Sequence, residues 1–522
     1  MGGIVDILTS AARGLAGEWP WFARQVNRIL VNRIVERTRN RPHPWSTKFD
    51  YVTWAGLSDR TYSARHLPAI DIPNQPSDTI AADLFRRIDP QQTLCVKSTM
   101  LFPAFAQYLT DSFIRTMVSN IDADTDRRRT TSNHDLDMCA LYGRNDGQTR
   151  ALRRLNTVAG ERGRLKSQLI GGEEWPPFMF DAAGQLKPEF HALDEPLGLD
   201  KVPVAGRPTL FAVGGDRANA NVQVSMLNTL FLREHNRLAH VIETKNPAWD
   251  DDHVFEITRN VIIVMFIKLV VEEYINHISP AGGLFRADPE VAWDASWNRP
   301  NWITAEFSLL YRWHSLVPDT MSWNGQRIGT DTLRFNNPLL ISAGLRNAVT
   351  WLSSEPAAAL GMGNTASYLI DVELKAIQQG RTNRIASYNA YRVAMSLKPR
   401  KSVDEISSNP EIRRRLAAAY PGGVDTVDFY VGLFAEDRVK NSPLPELILT
   451  MVAVDAFSQA LTNPLLSRHI WGDEKTQLNA FTAEGLDAIT KTPTLAALIG
   501  RNVPSGASDA FIAMTRKDWK RR

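Results

Sequence analysis

Cysteine is scarce: Cys95 and Cys139 are the two in 522 residues. Two thiols exclude a disulfide-stapled scaffold and a four-cysteine structural zinc site. No excess of one charge is present either. Sixty Lys+Arg stand against 57 Asp+Glu, a net +3, which is too balanced for a general nucleic-acid binder. Long apolar runs are missing. The most apolar stretch, VIIVMFIKLVV at 261–271, contains Lys268 and is too short to span a bilayer. The N-terminus has no basic n-region, and Asp6 and Arg13 interrupt the apolar core that a secretory signal needs. Gly2 is followed by Asp6 where a myristoylation signal wants Ser or Thr. Repeats and low-complexity tracts are absent, and Pro and Gly are scattered rather than gathered into a linker.

Hydrophobic residues at 43% and charged residues at 22% describe a folded protein with ample material for a core. Helical periodicity dominates over Phe102–Val118, Leu227–Thr244, Val254–Ile278, Ala305–Leu316, Pro356–Gln379 and Leu447–Leu461. Pro103, Pro280, Pro318, Gly380 and the Pro421–Gly423 turn bound these runs. The expectation is a mostly α protein with few short strands. It divides into an N-terminal amphipathic segment, 1–45, and one large domain, 46–522. In the N-terminal segment Trp19, Trp21, Phe22, Val26, Ile29, Leu30 and Ile34 face a row of arginines at 24, 28, 33, 37, 39 and 41. That pattern suits either an interfacial helix touching a membrane or a surface helix packed on the body.

The segment AEFSLLYRWHSLVPD (305–319) carries the chemistry. On a helix, Tyr311 and His314 are three residues apart and share a face. Such a histidine suits a haem iron, with a phenol beside the macrocycle edge. A lone Tyr-x-x-His is weak evidence, because most such pairs are ordinary core residues.

More of the chain agrees, in order. FDYVTWAGLSDRTYSARHLP (49–68), LFPAFAQYLTDSF (101–113), GGEEWPP (171–177), FAVGGDRANANVQVSMLNTLFLREHNRLA (211–239), VVEEYINHIS (270–279), YRWH (311–314), SYNAYR (387–392) and SLKP (396–399) together resemble the cyclooxygenase and fatty-acid dioxygenase branch of the animal haem-peroxidase superfamily. The similarity covers about residues 20–505, and several ordered blocks are far more specific than any one motif. It implies a single helical haem-peroxidase domain over 46–522. His314 would be the proximal ligand to the haem iron, and Tyr311 the radical-bearing residue that takes a substrate hydrogen. Gln107 would be the distal glutamine. Tyr274 and Ser279 would line an acyl channel, with Tyr274 bonding Tyr311. Arg28, or less securely Arg33, stands where the family pairs an arginine with the substrate carboxylate, a role that suits a guanidinium fork; a solvated arginine is the alternative. Ser458 is near the family's channel serine, although a two-residue slip points to Ala456.

The chain departs from the family in informative places. Asp111 stands where a distal histidine is usual, and no histidine lies between His66 and His134. A carboxylate can pass a proton between the oxygens of a peroxide if it is well placed; the other readings are an impaired peroxidase half-reaction or a structural aspartate. Arg217, in GGDRANA, resembles an arginine of the peroxidases and plant α-dioxygenases that polarises distal peroxide. Ala220 stands where haem-esterifying peroxidases carry Glu, so non-covalent haem b is expected. In SNHDLDMCALYG (132–143) Cys139 replaces an oxygen ligand, as does Ser112 on the distal helix, so calcium is unlikely.

The leading expectation is a haem-dependent fatty-acid dioxygenase, using O2 and a hydroperoxide activator. The alternatives are a haem peroxidase with an atypical distal Asp111, or a degenerate haem-binding scaffold. Lacking a leader and a cysteine-rich module, the chain reads as a bacterial, cytoplasmic relative with or without a peripheral membrane contact. Cyclooxygenation, α-oxidation and mono-hydroperoxide formation all use the same Tyr–haem pair, so regiochemistry stays open.

Overall fold

The computed structural model describes residues 20–36, 43–116, 128–503 and 510–521. Much of the 1–45 segment, including Trp19, Arg37, Arg39 and Arg41, lies outside the described residues. So does the end of the expected 102–118 helix. About half of the chain is helical. The helices that frame the site are α1 (Pro20–Val35), α2 (Leu101–Phe113), α3 (Val222–Lys245), α4 (Asp251–Leu269), α5 (Ala305–Leu310), α6 (Ile370–Thr382), α7 (Tyr388–Ala394), α8 (Phe429–Ala435) and α9 (Glu446–Leu461). Among the described residues, eight short strands form four separate antiparallel pairs: β1 (Trp45–Ser46) with β2 (Ala64–Arg65), β3 (Leu94–Thr99) with β8 (Pro356–Ala358), β4 (Gln168–Ile170) with β5 (Glu173–Trp175), and β6 (Thr320–Trp323) with β7 (Gln326–Gly329). No helix among the described residues is long and apolar enough to cross a membrane.

The helix starts are written in the sequence. The Asn221 carboxamide accepts from the amides of Gln223 and Val224 at the start of α3. Asp250 accepts from His253 at the start of α4, and Thr304 from Phe307 at the start of α5. Each satisfies amides that a helix leaves unpaired. Helix α3 is buried over most of its length, including Arg233, Glu234 and His235, so it forms the centre of the core rather than a surface rib. Helix α2 crosses it, with Tyr108 stacked on Phe231 at 5.5 Å. Helix α1 buries Asn27, Val31 and Val35, one residue per turn of a single stripe, and leaves Trp21 and Ile29 exposed.

Four expected helices differ. The 102–118 run already ends at Phe113, where Ile114 leaves helical geometry. The 254–278 run is continuous but widens into a π-turn at Val270–Ile275, a distortion common beside functional sites. The 305–316 helix stops at Leu310; Tyr311 is its cap and His314 opens a separate 3₁₀ turn. The cause is local. The Arg312 side chain donates to the Ser308 carbonyl at 3.2 Å, while its own amide turns back to Leu309. Tyr311 and His314 therefore do not share a face of one helix. Within 356–379, the first residues form β8, and Gly361 and Gly363 carry the chain through positive φ before α6 begins at Ile370. Gly380 does not stop α6. It lies inside it, where a Cβ would stand 3.4 Å from Leu309.

Helix α8 packs against α7 through Gly432, where a Cβ would fall 2.2 Å from the Tyr388 ring. Gly432→Ala is therefore expected to destabilise the fold by about 1–3 kcal/mol through overpacking. A lowered thermal midpoint by circular dichroism checks this; an unchanged midpoint would contradict the packing.

Candidate functional site

Two buried phenols form the centre. Tyr274, on the π-turn, is fully buried, and its ring packs against Phe102 and Phe105 at 5.7 and 5.6 Å. Tyr311 stacks on Trp313 at 4.8 Å and packs on Phe307 at 4.7 Å. The two hydroxyls sense each other, and burial pushes both phenols up. Each hydroxyl is the other's hydrogen-bond partner in charge and proximity, outside ideal geometry, and no further hydrogen bond among the described residues reaches either. Buried hydroxyls are normally satisfied, and these two have each other.

His314 follows three residues on. Its Nδ1 stands 3.1 Å from Glu373 Oε2. Glu373 belongs to α6 and is almost wholly buried. The Tyr430 hydroxyl donates to the same carboxylate oxygen, and Thr365 Oγ1 donates to the other at 2.9 Å. The His314–Glu373 contact is at ion-pair distance without hydrogen-bond geometry; a carboxylate beside Nδ1 is the usual support of a metal-bound histidine.

On α2, Asp111 is buried, and its Oδ2 has no partner. Burial raises its carboxyl from 3.8 to about 7, against the pull of Arg217; Asp216 adds to the rise, while Arg115 and Arg312 oppose it. Arg217 donates to the Ile114 carbonyl at 2.6 Å. Its loop is held close: a Cβ on Gly214 would meet Cys139 O at 2.2 Å, and Arg115 pairs with Asp216 at 3.0 Å. Gln107, one turn before Asp111, accepts from Asn221 Nδ2 at 2.8 Å, tying α2 to the start of α3. Arg312 joins the two sides. Burial and the neighbouring Arg217 bring its guanidinium down to about 10, and it senses Glu373 as well as Asp111.

The sequence candidates thus divide. Tyr274, Tyr311, His314, Asp111, Gln107 and Arg217 lie on elements that converge. Ser279 is buried, and its Oγ accepts from the Ala281 amide at 3.1 Å. Ser458 is buried, with its Oγ donating to the Asp455 carbonyl at 3.0 Å. Arg28 pairs with Asp288 at 2.9 Å and with Glu290, and no contact links it to the phenols. Arg33 is exposed. In the 132–143 segment the Cys139 thiol donates to the Ser112 carbonyl at 3.0 Å, and Asp137 accepts from Asn133 and from the Cys139 amide. Glu373, Tyr430 and Arg312 escaped the sequence reading. Glu373 left one signal: it interrupts the otherwise apolar buried stripe Ile370, Ala376, Ile377.

These residues suit a haem. His314 offers a ring nitrogen beside the Glu373 carboxylate, and Asp111 presents an unpartnered buried oxygen. Comparisons agree. The family description "Animal haem peroxidase" matches residues 104–511. Prostaglandin G/H synthase 1 of Mus musculus is 29% identical over 479 residues, 87% of this chain and 75% of its own. Prostaglandin G/H synthase 2 of Bos taurus is 28% identical over 497 residues, covering 91% and 77%. Among solved structures, peroxidase A from Dictyostelium discoideum superposes with a TM-score of 0.67 at 20% identity, covering 91% of this chain and 99% of that one. An Oryza sativa fatty acid alpha-dioxygenase variant with palmitic acid gives 0.69 at 17%, covering 88% and 84%.

Asp111 generates a test. Between about pH 4 and pH 7 the folded state holds a proton that the unfolded chain releases. Stability therefore falls as pH rises through that window, and the cost, roughly 4 kcal/mol, is complete above it. Asp111→Asn is expected to raise the melting temperature at about pH 8 and to bring little change near pH 4. An equal melting temperature at pH 8 would contradict the buried charge.

Proposed function

The chain belongs to the animal haem peroxidase family, and from that premise we propose that it is a fatty-acid dioxygenase in which Tyr311 takes the substrate hydrogen. That it is a haem-dependent oxidoreductase follows from the family. The observation that carries the finer reading is the Tyr311 hydroxyl, buried, paired with Tyr274 and three residues from His314. The relatives' printed names, prostaglandin synthases and fatty acid alpha-dioxygenases, point to a fatty acid and O2 as substrates.

In this reading His314 Nε2 would hold the iron of a non-covalent haem, with Glu373, itself held by Tyr430 and Thr365, beside the ring. When bound, the haem supplies the one-electron oxidation of Tyr311 at the expense of a hydroperoxide. Asp111 Oδ2 takes the hydroperoxide proton and returns it to the departing oxygen; a carboxyl near 7 is suited to both halves of that transfer. Gln107 and Arg217 position the peroxide beside it. The Tyr311 radical removes hydrogen from an acyl C–H, which restores its O–H and leaves a carbon radical. O2 adds there, and the peroxyl radical takes hydrogen back from Tyr311. Tyr274 orients the Tyr311 oxygen, and the aromatic wall of Phe102, Phe105, Phe307 and Trp313 excludes water. Ser279 and Ser458 face the acyl path in this proposal. Arg28 enters it only by exchanging Asp288 and Glu290 for the substrate carboxylate. A second reading, a peroxidase of small donors, draws on the same Asp111 and is separated by the same assay.

Haem-loaded Tyr311→Phe is expected to keep its Soret band and its peroxide reduction. It should lose at least about 99% of the oxygen uptake on linoleic or palmitic acid with trace hydroperoxide. Normal uptake would sink the radical role, and uptake absent from wild type as well would favour the peroxidase reading. His314→Ala should lose the Soret band; full haem occupancy would refute the ligand assignment. Glu373→Gln should keep the haem but shift its reduction potential positive by on the order of 60 mV, the tenfold equivalent of a one-electron couple, since a carboxylate at Nδ1 makes the imidazole a stronger donor. An unshifted potential would leave Glu373 a purely structural residue.

A further inference from the structure

A second cluster lies outside these roles. His43 precedes β1, His66 follows β2, and Asp455 sits on α9. All three are buried, at 4%, 3% and 3% exposure. Each offers one donor atom, and these atoms lie within 4.8 Å of one another. His66 Nε2 stands 3.1 Å from Asp455 Oδ2, and the two imidazoles meet edge to face at 4.4 Å. The strand pairing Trp45↔Arg65 holds the two histidine segments side by side. Glu306 anchors His66 from below: its Oε1 accepts from the His66 amide at 2.8 Å and from the Tyr391 hydroxyl at 2.6 Å.

We propose that His43, His66 and Asp455 form a site for a divalent first-row transition-metal ion of the zinc class. One histidine–carboxylate hydrogen bond explains two of these side chains. It leaves Glu306 Oε2 buried without a hydrogen bond in the same layer. The charge argues the same way. Among the described residues the layer holds two buried carboxylates, Asp455 and Glu306, beside the buried guanidinium of Arg65. Uncompensated buried negative charge is costly, and a dication offsets it. Donors about 2.1 Å from one ion stand roughly 3.5 Å apart, so binding contracts the cluster by about an ångström, within reach of side-chain rotation. Two imidazoles and one carboxylate favour zinc or iron(II) over magnesium or calcium. The ion would clip the β1–β2 hairpin onto α9. It would also neutralise Asp455, whose charge reaches Tyr311.

The test uses full-length, haem-loaded protein, stripped with a chelator and dialysed against buffered micromolar zinc. Elemental analysis should find about one zinc per chain in wild type. It should find at least tenfold less in His43→Gln and in Asp455→Asn, both with wild-type circular dichroism. Zinc should also raise the melting temperature of wild type and not that of His43→Gln, a readout that survives if Asp455→Asn fails to fold. No retained zinc in wild type, or equal zinc in wild type and His43→Gln, would overturn the site.

Discussion

The buried carboxylate of Glu373 is the constraint on which the site depends. A charge taken out of water costs several kcal/mol unless it is met by donors, and Glu373 is met by Thr365, Tyr430 and the imidazole edge of His314. Those three partners come from a loop, from α8 and from the turn after α5. One side chain on α6 thus draws three separate stretches of chain together, two by hydrogen bonds and the histidine by charge. The break in α5 serves the same end. Had the helix run on past Leu310, His314 would follow the helical path of Tyr311. Instead Arg312 folds back onto Ser308, and the next residues reach across to α6.

The opposite wall follows a different economy. Asp111 is left with one oxygen unpartnered and three arginines within electrostatic reach, none close enough to hold it ionised at the usual value. A carboxyl balanced near neutral pH has the poise that a distal histidine ordinarily supplies. Arg312, sensed from both walls, couples the two sides electrostatically.

Much of this was legible in the sequence because it rests on local rules. The apolar stripes of α2 and α9 and the ordered motif blocks report on neighbours a few residues away. What escaped depends on contacts distant in the chain. The end of α5 is set by one arginine side chain, with no Pro or Gly to announce it. The 356–369 stretch looks helical by periodicity, yet two glycines and pairing with β3 make it extended. Glu373 lies 59 residues beyond His314, and only its intrusion into an apolar stripe betrayed it. Arg28 looked like a solvated or substrate-binding arginine; its two carboxylate partners lie some 260 residues away.

The central claim is that Tyr311 is the residue oxidised beside a haem on His314. Rapid-freeze electron paramagnetic resonance of the haem-loaded protein, mixed with a hydroperoxide, tests it most directly. A tyrosyl radical signal is expected in wild type; it vanishes in Tyr311→Phe and persists in Tyr274→Phe. A radical of undiminished intensity in Tyr311→Phe would contradict it.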